Sequence, residues 1–192
     1  MKKRRRRKQR SAPPSQTKQP RRQSLRDLHA ALDRVEQLIL SGRAQAAIEL
    51  LEPFLESYPR EADLHYYLGY AHAKSGDTWG ALPGYEQAQK LSRDPSYWSM
   101  LASLYLEVDL RVHALRAFRQ AIKHQDDFPL VGNVRGIVAA LEETVAEIAH
   151  SLDLPAGRVE EGIYHMERGR RALTDHDYPA TIAASRQAIK IL

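Results

Sequence analysis

The octapeptide Ser75-Gly76-Asp77-Thr78-Trp79-Gly80-Ala81-Leu82 decides the fold, because Ser41-Gly42-Arg43-Ala44-Gln45-Ala46-Ala47-Ile48 carries the same pattern with its glycine 34 positions earlier. A third echo comes one residue short, with Ala114 standing 33 positions after Ala81. Around the middle copy, Leu64, Tyr67, Leu68, Gly69 and Ala71 recur at three-and-four spacing before the turn. Ala81, Leu82, Tyr85 and Ala88 do the same after it. That spacing puts each set on one face of a helix. The unit is an antiparallel helix pair in which Gly69 and Ala81 lack bulk where the axes come closest, while Leu68 and Tyr85 fill the space around them. A lone pair cannot bury its apolar face, so the units must stack.

A 34-residue period in helical pairs is that of the tetratricopeptide repeat, and the residues resemble that family as well. Its order of Trp, Leu, Gly, Tyr, Ala, Phe, Ala is best matched in the third unit, by Trp98, Leu101, Ala102, Tyr105, Ala114, Phe118 and Ala121. The second unit has Leu68, Gly69, Ala81, Tyr85 and Ala88; the first, more loosely, has Val35, Leu38, Gly42, Ala47, Leu51 and Pro59. A fourth copy is read in Gly169, Ala172, Asp177-Tyr178, Ile182 and Ala188. The resemblance covers most of the chain from Ser24 on and implies an all-α, right-handed superhelix of antiparallel helix pairs. The expected organisation is a basic arm over 1–23, three units over 24–127, a long helix interrupting the repeat over 128–154 and a fourth unit over 155–192. Pro53 is expected to kink its helix, Pro83-Gly84 to make the first turn of the next second helix irregular, and Pro179 to suit a helix start.

The period breaks between the third and fourth units. Val131, Val134, Ile137, Val138, Leu141, Val145, Ile148, Ala149 and Leu152 form the stripe of one long helix, which Asp153-Leu154-Pro155 ends because the residue before proline is pushed out of helical geometry. A second helix is expected from about Ala156 to Ala172, giving a helical hairpin with Glu142, Glu143 and Glu147 on a solvated face. Ile148-Ala149, Leu152, Leu154 and Val159 also have the spacing of a helix-turn-helix reader over 146–163. Against that reading stand Asp153, where such turns carry glycine, and Glu160-Glu161, which would meet phosphates with negative charge. Simple helical packing is the favoured alternative.

Charge is divided unevenly along the 192 residues: positions 1–26 hold 12 of the 29 Lys and Arg and none of the 24 Asp and Glu. A cationic tail thus precedes an acidic body. Lys2, Lys3, Arg4, Arg5, Arg6, Arg7 and Lys8 form a self-repelling block that reads as a disordered arm. It suits nonspecific contact with phosphates of RNA or DNA, an anionic membrane, a nuclear-import address in a eukaryote, or solubility alone; no aromatic residue interleaves for base stacking. Arg21-Arg22-Gln23-Ser24 resembles a basophilic kinase site, but Ser24 with Asp27 also reads as a capping box opening the first helix. The chain has no cysteine, which excludes disulfides and thiolate chemistry. It has no apolar run of membrane-spanning length, so a cytoplasmic location is expected.

No catalytic constellation, cofactor loop or metal set is legible. His65 and His72 share a helix face without a carboxylate to complete a ligand set. A non-enzymatic scaffold or adaptor that binds a protein or peptide is the expected role, with a nucleic-acid-associated regulator acting through the arm and the 146–163 segment as its alternative. The family register implies a concave wall of Asp63, Tyr66, Tyr70, Ala73 and Lys74, then Ser96, Ser99, Ser103, Leu106 and Glu107. Tyr66 and Tyr70 either grip a peptide or fill a neighbour's gap. Chaperone-binding relatives hold a carboxylate with Lys, Asn and Arg on this wall; Lys74 alone supplies such a base here. The last helix ends apolar at Ile191-Leu192, which implies either a continuing polypeptide or self-association.

Overall fold

The computed structural model describes residues 21–92, 94–124 and 131–192, and these form nine α-helices with no strand among them. The first three pairs are α1 (Arg21–Leu40) with α2 (Ala44–Ser57), α3 (Ala62–Lys74) with α4 (Thr78–Leu91), and α5 (Pro95–Glu107) with α6 (Arg111–His124). Then come α7 (Val131–Leu152), α8 (Ala156–Thr174) and α9 (Tyr178–Ile191). The fold is all-α and of tetratricopeptide type. The cationic block lies outside the described residues. Helix α1 already begins at Arg21, so Ser24 sits inside a helix rather than at its cap.

One turn chemistry recurs through the chain. After α1, α3, α5, α7 and α8, an amide bonds back to the carbonyl five residues earlier: Arg43 to Leu38, Asp77 to His72, Leu110 to Tyr105, Leu154 to Ala149, and Asp177 to Ala172. Such a turn needs a left-handed residue at its corner. Gly42 and Gly76 supply it at φ 75° and 87°, but Asp109, Asp153 and His176 adopt the same region at 58°, 53° and 58°. Asp153 therefore takes the conformation glycine usually provides. The α7–α8 hairpin obeys the repeat's own turn rule, and α8 follows α7 as a second helix while preceding α9 as a first.

Pair packing depends on missing side chains. A Cβ on Gly69 would lie 2.9 Å from the Ala81 carbonyl oxygen, and one on Gly84 would lie 2.6 Å from the Gly69 nitrogen and 2.7 Å from the His65 carbonyl. The Pro83-Gly84 step is thus a close crossing, not an irregularity. Helix α4 starts cleanly at Thr78, with the Asp77 carboxylate accepting the Gly80 amide at 2.9 Å. Pro53 and Pro83 both sit on exposed faces of uninterrupted helices. Pro179 lies in the first turn of α9, as its fixed φ favours.

Two buried clusters result. Leu28, Val35, Leu51 and Leu64 centre the first, across α1 to α3. Leu82, Tyr85, Leu115 and Phe118 centre the second, which continues without a gap into Val138, Val145 and Val159 of the hairpin.

Candidate functional site

The first helices α1, α3 and α5 form a wall whose residues stand in columns one period apart. His29, Asp63 and Tyr97 occupy one repeat position in three successive units, and Leu32, Tyr66 and Met100 occupy another. With Asp33, Tyr67, Asp94 and Ser96 they line a groove of about 470 Å³. Tyr66 is its centre. Its ring centroid lies 5.3 Å from Tyr67, 5.5 Å from Tyr85 and 5.4 Å from Tyr97, with Tyr70 stacked at 6.2 Å. Tyr66 thus fills the gap between neighbouring helices while leaving part of its ring on the groove.

The described lining is acidic: Asp33, Asp63 and Asp94 are part of it, and no Lys or Arg is among the described residues that line it. The Tyr97 hydroxyl donates to Asp63, and the Asp94 carboxylate caps α5 by accepting the Ser96 amide at 2.8 Å. Burial, then Tyr70, then the carboxylates of Glu36 and Asp63 push the Tyr66 hydroxyl above its ordinary range. Burial and the Asp63 hydrogen bond do the same to Tyr97. Both phenols are held neutral, and the Tyr97 hydroxyl is hydrogen-bonded.

The other wall residues lie further along. Tyr70 continues the aromatic row with the Lys74 ammonium 5.4 Å from its ring centroid, a cation–π contact. Ala73 and Leu106 are half-buried against the core. The Ser99 hydroxyl is buried without a partner, Ser103 donates to the Ser99 carbonyl at 3.0 Å, and Glu107 is exposed. None of these seven lines the groove.

A larger cleft of about 920 Å³ lies among α4, α5, α6, α8 and α9, and the wall reading did not include it. Its floor is Trp98, Tyr105, His113 and Tyr164, with His113 stacked on Tyr164 at 4.6 Å and the Arg116 guanidinium 3.9 Å from the Tyr164 centroid. Most of its cations are already bound. Arg116 donates to Glu160 at 3.1 Å and Glu161 at 2.6 Å, and Arg119 donates to Glu160 at 2.8 Å and Glu142 at 2.9 Å. Arg171 donates to Glu86, which also accepts the Tyr105 hydroxyl at 2.7 Å. Arg116 holds the Glu161 carboxyl below its usual range. Glu142, Glu143 and Glu147 are all exposed, as expected, and Glu142 in addition pairs with Arg119 at the surface.

These contacts also fix α8. Glu167 is a buried carboxylate, 8% exposed, that accepts the backbone amides of Val112 at 2.8 Å and His113 at 2.9 Å and lies 2.6 Å from His113 Nδ1. It caps α6 from another helix. In the 146–163 segment, Ala149 and Val159 are buried in the shared core, and Glu160 and Glu161 face α6. Of the two histidines, His65 Nε2 meets the Pro59 carbonyl at 2.8 Å and His72 Nδ1 meets Asp77 at 3.1 Å. On α9, Tyr178, Ile182 and Ile189 are exposed, Ile189 to 78%. No described helix is long and apolar enough to cross a membrane.

Solved structures place this arrangement among helical repeats of tetratricopeptide type. The chain is similar to MamA AMB-1 in its P212121 crystal form, with TM-score 0.51 and 17% identity over 87% of this chain and 92% of that one. It is also similar to a Podosopora anserina kinesin light chain protein with nearly identical TPR-like repeats, with TM-score 0.50 and 13% identity over 86% and 94% of the two chains. No known family profile matches the sequence, and no curated protein is significantly similar to it.

Proposed function

We propose that the chain is a non-enzymatic scaffold that binds an extended segment of a protein partner along the α1, α3 and α5 wall. The observation that carries this reading is the alignment of equivalent positions from three units into one groove around Tyr66. A partly exposed ring already held on several sides loses little freedom on binding, which is what makes tyrosine a strong anchor. The acids along the groove favour a partner segment bearing Lys or Arg. The larger cleft is the poorer candidate, because Arg116, Arg119 and Arg171 are neutralised by the chain's own carboxylates.

The test is an amide NMR titration of the full chain with short extended peptides of basic, acidic and apolar composition. Shifts are expected on Asp33, Asp63, Tyr66 and Tyr97, with a Tyr66→Leu variant that keeps the fold binding at least about tenfold more weakly. Shifts confined to the larger cleft, or unchanged affinity in Tyr66→Leu, would overturn the reading.

A further inference from the structure

The groove's charge matches a segment of the same chain. Residues 1–20 carry nine Lys or Arg and no acid, seven of them consecutive from Lys2 to Lys8. The segment joins α1 at Arg21, and the groove lining on that helix is His29, Leu32 and Asp33. Because α1 rises about 1.5 Å per residue, His29 lies roughly 12 Å along it from the point where the arm enters. Residues 9–20 extend to about 40 Å, so the cationic block reaches the groove's whole length by turning back beside α1.

We propose that the groove is occupied by this chain's own arm, with Lys2–Lys8 laid against Asp33, Asp63 and Asp94 and its alkyl stems across Tyr66. The inference rests on the reading of the α1, α3 and α5 wall as the peptide-binding surface and names its resident ligand. Tethering supplies an effective concentration on the order of millimolar without any new contact. Lysine and arginine stems suit a tyrosine-lined floor, because their methylenes cover apolar surface while the charged heads stay wet. Asp33 and Glu36 are exposed and make no ion pair or side-chain hydrogen bond among the described residues, so their charge is available. Exposed ion pairs are individually weak. Docking must therefore involve several at once and fall steeply with salt. A docked arm makes the scaffold self-occluding: an external basic segment binds only by displacing it, and an anionic surface that draws the arm away opens the groove.

The chain's lack of cysteine allows a clean test. A nitroxide on Ser11→Cys in the otherwise intact chain should abolish most of the amide signal of Asp33, Tyr66 and Tyr97 at about 0.02 M salt, and the signal should return at about 0.5 M. The double variant Asp33→Lys with Glu36→Lys reverses two exposed charges and should restore the signal at low salt. Broadening spread evenly over the chain, centred on the larger cleft, or unchanged by the charge reversal would overturn the proposal. A separate Lys2–Lys8 peptide distinguishes the two readings. If it shifts the groove resonances while the tethered label leaves them sharp, arm docking falls and the peptide-binding surface stands; if neither acts, both fall.

Discussion

Replacing Glu167 by alanine should loosen α6 from its N-terminus. The Glu167 side chain is 9% exposed, and its two oxygens take the amides of Val112 and His113, which a helix's first turn leaves without internal partners. Alanine leaves two largely buried donors unmet at roughly 1–3 kcal/mol each, less what entering water recovers. Loss of the carboxylate's attraction to the helix N-terminus adds about 0.5 kcal/mol. A total of about 3 kcal/mol lowers the midpoint of thermal unfolding by roughly 6–12 °C for a chain of this size. Glu167→Gln keeps one acceptor and should cost about half as much. Two assays read this together: urea unfolding, and hydrogen exchange at Val112 and His113, where protection should fall about a hundredfold. A loss under about 1 kcal/mol, or lost stability with both amides still protected, would refute the capping argument.

Other expectations follow from geometry. Gly84→Ala drives a Cβ into the α3 backbone and should cost about 2–4 kcal/mol, whereas Gly136→Ala, with nothing within 4 Å, should stabilise by about 0.5–1 kcal/mol; chemical denaturation ranks the two. Arg111, then Arg170, hold the Asp109 carboxyl below its ordinary value. A depressed folded pKa gives stability that is present above the unfolded value and lost as pH falls through the folded one, so acidification below about pH 4 should lower the urea midpoint less in Arg111→Ala than in the parent. Because Asp109 is exposed, the difference should be small and should shrink in high salt. Ile182→Lys with Ile189→Lys should leave stability within about 0.5 kcal/mol while reducing binding of an apolar dye, since both side chains face solvent.

The parts of the fold legible in the sequence were those whose physics is local. Gly42 and Gly76 announce their turns because glycine tolerates a positive φ, whereas Asp109, Asp153 and His176 make the same turn under stereochemical strain and are invisible to that rule. The long helix followed from periodicity, and its stop from the geometry that Pro155 forces on the residue before it. Glu167 did not, because a glutamate within a helix reads as solvated until the helix it caps, 55 residues away, is brought beside it. The groove lay between these cases. Asp63 and Tyr97 are 34 positions apart, and that equality with the repeat period was the available signal that they meet on adjacent units. The wall register placed Asp63, Tyr66 and Ser96 on it but named no residue of the first unit, which matches the family pattern most loosely, and it left out Tyr67, Asp94, Tyr97 and Met100 of the next two.

The ties that α8 makes have a consequence for how the molecule comes apart. In a simple solenoid each unit touches only its neighbours, so the array frays from either end. Here Arg171 reaches Glu86 across 85 positions of chain, and Glu167 fastens the start of α6. The C-terminal third thus clasps units two and three into one cooperative block, and opening it exposes three helices' worth of polar and apolar surface together. The α1–α2 end has no such clasp among the described residues. Partial unfolding should begin there, at the end that carries one side of the groove, so that the first step of unfolding also takes the groove apart.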